Sequence, residues 1–85
     1  MIEENEILIA DGLESALIGV AQQYNKYFAV YDRELAIKIF MDKDDMTWDD
    51  AEEWFEFNVV GAWVGENTPA FVTQCSYEDL KSGMI

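Results

Sequence analysis

The sequence predicts a small α+β domain, in which a short antiparallel sheet carries two helices packed on one face. Three observations lead to this prediction. Apolar residues make up 51% of an 85-residue chain, which is enough for one core and hence one domain over residues 1–85. Short segments rich in β-branched and aromatic residues, bounded by turn residues, fill the first part of the chain. Two segments with helical apolar spacing follow, so the expected order is β-β-β-α-α-β.

Three strands are expected before the first helix. The segment EILIAD (6–11) is β-branched and ends in an Asp-Gly turn. The segment ESALIGVAQQ (14–23) fits a strand or a helix, and its β-branched residues and glycine favour a strand. After a YNK turn, YFAVYD (27–32) completes an antiparallel meander. A last strand, PAFVT (69–73), is expected after the helices.

The first helix is expected to begin after Asp32, whose carboxylate can accept hydrogen bonds from the free N–H groups of the first turn. The segment that follows, RELAIKIFMDKD, has the apolar spacing of one helical face. The residues of that face are Leu35, Ala36, Ile39 and Phe40. A further short turn is expected near the end of the chain, where Ser76 precedes Asp79 by three residues.

The second helix is expected to begin after Thr47, with Asp50 three residues later in a variant of the capping box. Gly61 or Gly65 would end it. At about 100° per residue, one side of this helix faces the core. That side holds Ala51, Phe55, Asn58, Val59 and Ala62. Trp54 and Phe57 are expected on the two flanks between this side and the opposite one.

Negative charge dominates the composition, with 18 acidic residues against 5 basic ones and a net charge of −13. This charge argues against direct binding to nucleic acid or to an anionic membrane, and it favours a basic protein surface as partner. Within residues 42–57, eight carboxylates occur with a single lysine. Asp49, Glu52, Glu53 and Glu56 form a stripe opposite the core side of the helix. The predicted partner-binding residues are Asp42, Asp44, Asp45, Asp49, Asp50, Glu52, Glu53, Trp54 and Glu56.

Three interpretations of this acidic segment are open. An EF-hand calcium loop beginning at Asp42 is disfavoured, because Met46 and Thr47 stand where a ligand and a glycine are needed. Mimicry of nucleic acid is the second, because four carboxylates over a rise of about 10 Å match the charge density of one DNA strand. The third is an acidic helix face that only meets solvent. No metal and no cofactor is predicted.

Features of an enzyme are few. The chain has no histidine to activate Cys75 or a serine, so catalysis by a nucleophilic triad is not expected. Its glycines do not form a phosphate-binding loop. A lone cysteine cannot form an intramolecular disulfide, the opening residues lack a basic signal segment, and no apolar run is long enough to span a membrane. We therefore expect a cytosolic protein that is not an enzyme.

The segments AVYD, MTWDDAEEWFEFNV and GAWVGENTP carry a resemblance. Together they cover residues 29–72, about half of the chain, and are similar to a family of small, mostly uncharacterised proteins of tailed bacteriophages and prophages. The resemblance brings no activity with it. It implies a viral context, in which small acidic proteins repeatedly inhibit restriction enzymes, CRISPR complexes, nucleoid proteins or RNA polymerase.

Charge and resemblance together predict a phage-encoded accessory protein of the host cytoplasm. It would bind the basic surface of a nucleic-acid-handling host protein and inhibit it, in an anti-CRISPR, anti-restriction or similar anti-defence role. The alternative is a viral structural or assembly protein that self-associates through its aromatic residues, a homodimer being the simplest form. A small acid–base or metal-dependent enzyme is the third hypothesis.

Overall fold

Strands and helices follow one another along the chain in the order β1-β2-α1-α2-β3-α3. The computed structural model describes residues 7–62, 65 and 67–83. The elements are β1 (Leu17–Gln23), β2 (Lys26–Asp32), α1 (Arg33–Asp44), α2 (Trp48–Phe55), β3 (Ala70–Val72) and α3 (Tyr77–Lys81). A 3₁₀ turn, Glu14–Ala16, precedes β1, and a π-helical turn, Glu56–Val60, extends α2. The predicted α+β class is confirmed.

The sheet is mixed rather than wholly antiparallel. Strands β1 and β2 form the predicted hairpin, with Gln23 paired to Lys26 across a two-residue turn. The third strand of the sheet is β3, which pairs with β2 in parallel, with Tyr31 beside Phe71. Parallel neighbours need a long crossover, and here the segment that contains α1 and α2 supplies it. The predicted last strand is therefore present, but its direction relative to β2 was not foreseen.

The first predicted strand, EILIAD, is not a strand in its described part. Its Ala10 N–H donates to the hydroxyl of Tyr31 at 2.9 Å instead of to a neighbouring strand. Gly12 then takes a φ of 89°, and the chain turns so that Leu13 enters the core. Because this backbone N–H bonds to a side chain, the described part of the segment does not join the hydrogen-bond ladder of the sheet. Its β-branched composition alone therefore did not predict its structure.

The core lies between one face of the sheet and both helices, as predicted. Its buried side chains are Leu13, Ala16, Ala29, Tyr31, Ala36, Ile37, Ala51 and Phe55. The ring of Phe55 packs edge-on against Phe71 at 4.9 Å between centroids, and Tyr31 stacks on the same ring at 5.8 Å. These contacts hold α2 over β2 and β3.

The predicted helix caps are confirmed. Asp32 accepts from the N–H of Leu35 at 3.0 Å, Thr47 from that of Asp50 at 3.3 Å, and Ser76 from that of Asp79 at 3.1 Å. The predicted core face of α1 is correct for Ala36, Ile39 and Phe40, which are buried or half-buried. Leu35 is exposed instead, and Ile37, on nearly the opposite side of the helix, is buried.

The helix that begins at Trp48 changes its winding at Glu56. The N–H of Gly61 donates to the carbonyl of Glu56 at 3.1 Å, five residues back, so each residue here turns through a smaller angle than in an α-helix. A Cβ at Gly61 would lie 3.0 Å from the carbonyl oxygen of Phe57, so this winding favours glycine there. Asn58 and Ala62 are consequently exposed, contrary to prediction, while Ala51 and Phe55 are buried and Val59 is half-buried. The sequence also predicts that Trp63 anchors a structural corner between Gly61 and Gly65, and Trp63 lies outside the described residues.

Candidate protein-binding surface on the acidic helix

The acidic helix has two flanks that differ in their surroundings. We call Glu52 and Glu56 the Arg33 flank, because both carboxylates contact that guanidinium. We call Asp50, Glu53, Trp54 and Phe57 the open flank. The two flanks lie on opposite sides of the outward-facing ridge of α2, since 100° per residue separates successive side chains.

Arg33 joins the beginning of α1 to the end of α2. Both of its terminal nitrogens lie 3.2 Å from Oε2 of Glu52, and Nη2 also donates to Oε1 of Glu56. Its guanidinium carbon lies 5.8 Å from the centroid of the Phe55 ring, within cation–π range. The hydrogen bond to Glu56, together with that to Glu52, raises the pKa of Arg33 above its usual value against the effect of desolvation. The Arg33 flank is therefore part of the packing between helices.

The open flank combines carboxylates and aromatic rings. Asp50 and Glu53 are exposed, and within the described part of the chain neither forms an ion pair. Trp54 packs against Phe40 at 4.7 Å between ring centroids and is still 38% exposed. The ring of Phe57 is 84% exposed, although burial of an aromatic ring would stabilise the fold.

An open groove of about 440 Å³ runs along this flank. Its lining residues are Met46, Asp50, Glu53, Trp54, Phe57 and Asn58. The side-chain N–H of Asn58 donates to the carbonyl of Trp54 at 3.0 Å, which leaves the amide oxygen of Asn58 as an acceptor. Trp54 and Phe57 thus share one groove and do not occupy two separate flanks, contrary to the expectation from sequence. Residues three apart on an α-helix lie about 60° from each other around its axis, so the shared groove follows from the spacing of Trp54 and Phe57 itself.

The remaining predicted site residues lie at the surface where α1 ends. Asp42, Asp44 and Asp45 are exposed, and Asp45 takes a left-handed φ of 53° as the C-terminal cap of α1. Carboxylates at a helix C-terminus face the negative end of its dipole, so they add to an already negative region at some cost in stability. Asp49 is exposed in the first turn of α2, where the dipole favours it.

The acidic segment does not have the geometry of an EF-hand. Asp42 and Asp44 lie within α1, and Thr47 uses its hydroxyl to cap α2. Among the residues that the structure describes, no three acidic, histidine or cysteine side chains gather at metal-binding distance. Cys75, which follows β3 in the chain, is exposed. No helix of the described chain is both long enough and apolar enough to cross a bilayer.

Two functional features were missed by sequence reasoning. The pairing of Arg33 with two carboxylates was one, although a signal existed, since Glu52 and Glu56 are four residues apart and Arg33 is the chain's single arginine. The exposed groove beside Phe57 was the other. Its signal was the i, i+3 spacing of Trp54 and Phe57, which makes their side chains neighbours on a helix.

Comparisons with protein families, with characterised proteins and with solved structures found no match to this chain.

Proposed function

We propose that this protein binds a basic surface of a host protein that handles nucleic acid and thereby inhibits it. The observation that carries the proposal is the separation of charges on α2. Arg33 pairs with the two carboxylates on one side of the helix, while Asp49, Asp50 and Glu53 stay exposed without an ion pair among the described residues. Exposed carboxylates that form no ion pair with the described residues are available to a cationic partner.

The charge density supports a surface that resembles a nucleic-acid strand. Four carboxylates of the stripe, from Asp49 to Glu56, span a rise of about 10 Å. The positive charge of Arg33 cancels one of them, which leaves a net of three. One strand of B-DNA places about three phosphates over the same axial distance. A basic groove that is shaped for DNA therefore meets a similar charge on α2.

The biological setting is part of the proposal. The resemblance of residues 29–72 to small acidic proteins of tailed phages supports a protein made during infection, which acts in the host cytoplasm against a restriction enzyme, a CRISPR complex or a similar defence protein. This step rests on association and not on geometry. It narrows the choice of lysate in which a target is sought.

The experiment is affinity capture from a bacterial lysate, with and without an excess of duplex DNA. Captured proteins are expected to be nucleic-acid-handling proteins, and DNA should displace them because both ligands use one basic surface. The variant Asp50→Lys with Glu53→Lys should lose the capture. The matched control, Glu34→Lys with Glu78→Lys, changes the net charge equally at exposed sites off α2 and should retain most of it. Capture that DNA does not displace, or that both variants retain, would contradict the proposal.

A second candidate function is a viral assembly protein, and strand β1 favours it. Its sequence LIGVAQQ carries no charge, and Leu17, Ile18 and Val20 are each about half exposed. Strand β1 is an edge of the sheet in the described chain, and an uncharged edge can pair with another strand. Light scattering after gel filtration, at low and high salt, distinguishes the two. A stable oligomer at both salt concentrations, abolished by Val20→Lys, would favour assembly.

A further inference from the structure

The groove on the open flank is more than an acidic patch, because two aromatic rings are exposed in it. Phe57 has most of its side chain in solvent, and Trp54 is partly exposed although it packs at a tilt against Phe40. Asp50 and Glu53 stand beside these rings in the lining of the same groove. Carboxylates next to apolar rings select for a ligand that is both cationic and flat.

We propose that this groove binds an arginine side chain of the basic partner, an inference that rests on the proposed function. A guanidinium group is planar, stacks on aromatic faces and carries five N–H donors. Trp54 and Phe57 offer the rings. The carboxylates of Asp50 and Glu53 and the amide oxygen of Asn58 offer acceptors around the groove.

The chain itself shows that a guanidinium fits such surroundings. Arg33 lies over the ring of Phe55 while it pairs with Glu52 and Glu56, which are four residues apart on the helix. The open flank has the same combination on the other side of the helix, where aromatic rings lie beside two carboxylates that are three residues apart. Among the described residues, no cation of the chain pairs with these carboxylates. The Arg33 flank is thus an internal example of the arrangement that the open flank presents to a partner.

Other occupants fit the groove less well. A lysine ammonium is a compact, strongly hydrated charge that does not stack, so it uses the carboxylates but gains less from the rings. A second copy of this chain brings a net charge of −13 toward two carboxylates, which opposes association. A neutral apolar peptide would cover Asp50 and Glu53 without pairing them, at a cost in desolvation.

The test compares two capped peptides, tetra-arginine and tetra-lysine, by isothermal titration calorimetry at the same salt concentration. The wild-type protein should bind tetra-arginine about two- to fivefold more tightly than tetra-lysine, which is the gain that stacking on exposed rings gives. In Trp54→Ala with Phe57→Ala this preference should vanish. The matched control, Tyr24→Ala with Tyr77→Ala, removes two aromatic rings that are 90% and 73% exposed elsewhere and should keep the preference. All variants keep the net charge and are first compared by circular dichroism.

Equal binding of the two peptides by the wild type would overturn the arginine site, and the proposed function would stand on charge alone. A loss of preference in the tyrosine control as well would overturn it too, since the rings of the groove would then have no special role. Self-association that depends on Trp54 and Phe57, seen by sedimentation, would assign the groove to a second copy and would also overturn it. If the arginine preference holds while lysate capture yields no DNA-displaceable protein, the proposed function fails and the groove remains a site for arginine.

Discussion

Both flanks of α2 carry two carboxylates, and these carboxylates have different surroundings. On one side, Glu52 and Glu56 share the guanidinium of Arg33 and hold the beginning of α1 against the end of α2. On the other side, Asp50 and Glu53 stand beside exposed aromatic rings with no internal cation in the described chain. An acidic stripe read from sequence is therefore two surfaces, one structural and one available to a partner.

The difference shows how a single basic residue divides an acidic surface. Arg33 is placed by the cap at Asp32, which begins α1 beside the last turn of α2. Only the carboxylates within its reach become structural.

The largest effect on the free energy of unfolding is expected in α2 at Phe55, whose neighbour Trp54 is much less buried. Phe55 is fully buried, so Phe55→Ala should cost roughly 3–5 kcal/mol and unfold much of so small a domain. Trp54→Ala should cost much less, because a good part of its ring is already in water. Urea denaturation followed by circular dichroism measures both. A tolerated Phe55→Ala with a disruptive Trp54→Ala would mean that the phase of α2 is wrong.

The second largest effect on the free energy of unfolding is expected when Arg33 is removed. Arg33→Ala loses two partly exposed ion pairs and the contact with the Phe55 ring, at a cost of about 1–2 kcal/mol. The control Lys38→Ala removes the same charge from an exposed position of α1 and should change the free energy of unfolding by less than about 0.5 kcal/mol. Equal effects of the two changes would show that net charge, and not the contact, matters.

One isosteric change made on each flank sharpens the comparison. Glu56→Gln weakens the pairing with Arg33 and should destabilise the fold by a few tenths to about 1 kcal/mol. Glu53→Gln breaks no ion pair among the described residues and relieves repulsion, so it should be neutral or slightly stabilising. The difference should shrink at high salt, because screening weakens exposed pairs. Thermal unfolding at two salt concentrations measures this, and a larger loss for Glu53→Gln would reverse the assignment of the flanks.

The smallest effect is expected at a carboxylate that neither flank uses. Hydrogen bonds from the backbone N–H groups of Glu14 and Gly12 hold the pKa of the Glu14 carboxyl below its usual value. Because the folded-state pKa is the lower one, the stabilisation is present above the unfolded-state pKa and is lost as the pH falls through the folded-state pKa. An NMR titration of the side chain should show the lowered pKa. Glu14→Gln should remove the corresponding acid dependence of stability, and a raised pKa would contradict this geometry.

The sequence predicted the parts of the fold that local chemistry determines. Asp32, Thr47 and Ser76 cap their helices as expected, because a capping oxygen needs only the N–H groups two or three residues ahead. The apolar spacing around Ala51 and Phe55 located the buried face of α2. Trp54 was correctly expected to be partly exposed.

The features that were missed depend on contacts distant in sequence or on backbone geometry without a sequence signal. The parallel pairing of β3 with β2 depends on where the chain re-enters the sheet after α1 and α2. The backbone of Ala10 meets the hydroxyl of Tyr31, 21 residues away, which removes the expected first strand. The π-helical turn that begins at Glu56 leaves Asn58 and Ala62 exposed, where the sequence predicted a core face. The sequence placed the predicted site on the helix that carries the proposed groove, but the division of that site by Arg33 was not predictable from periodicity.

The most direct test of the central claim, that only the open flank of α2 receives a cationic partner, is an NMR titration. Tetra-arginine is added to the ¹⁵N-labelled protein, and backbone amide and indole shifts are followed. The account predicts changes concentrated at Asp50, Glu53, Phe57, Asn58 and the indole N–H of Trp54, with Arg33 and Glu52 little affected. Shifts spread evenly over all acidic surfaces, including α3, or centred on the Arg33 flank, would contradict it.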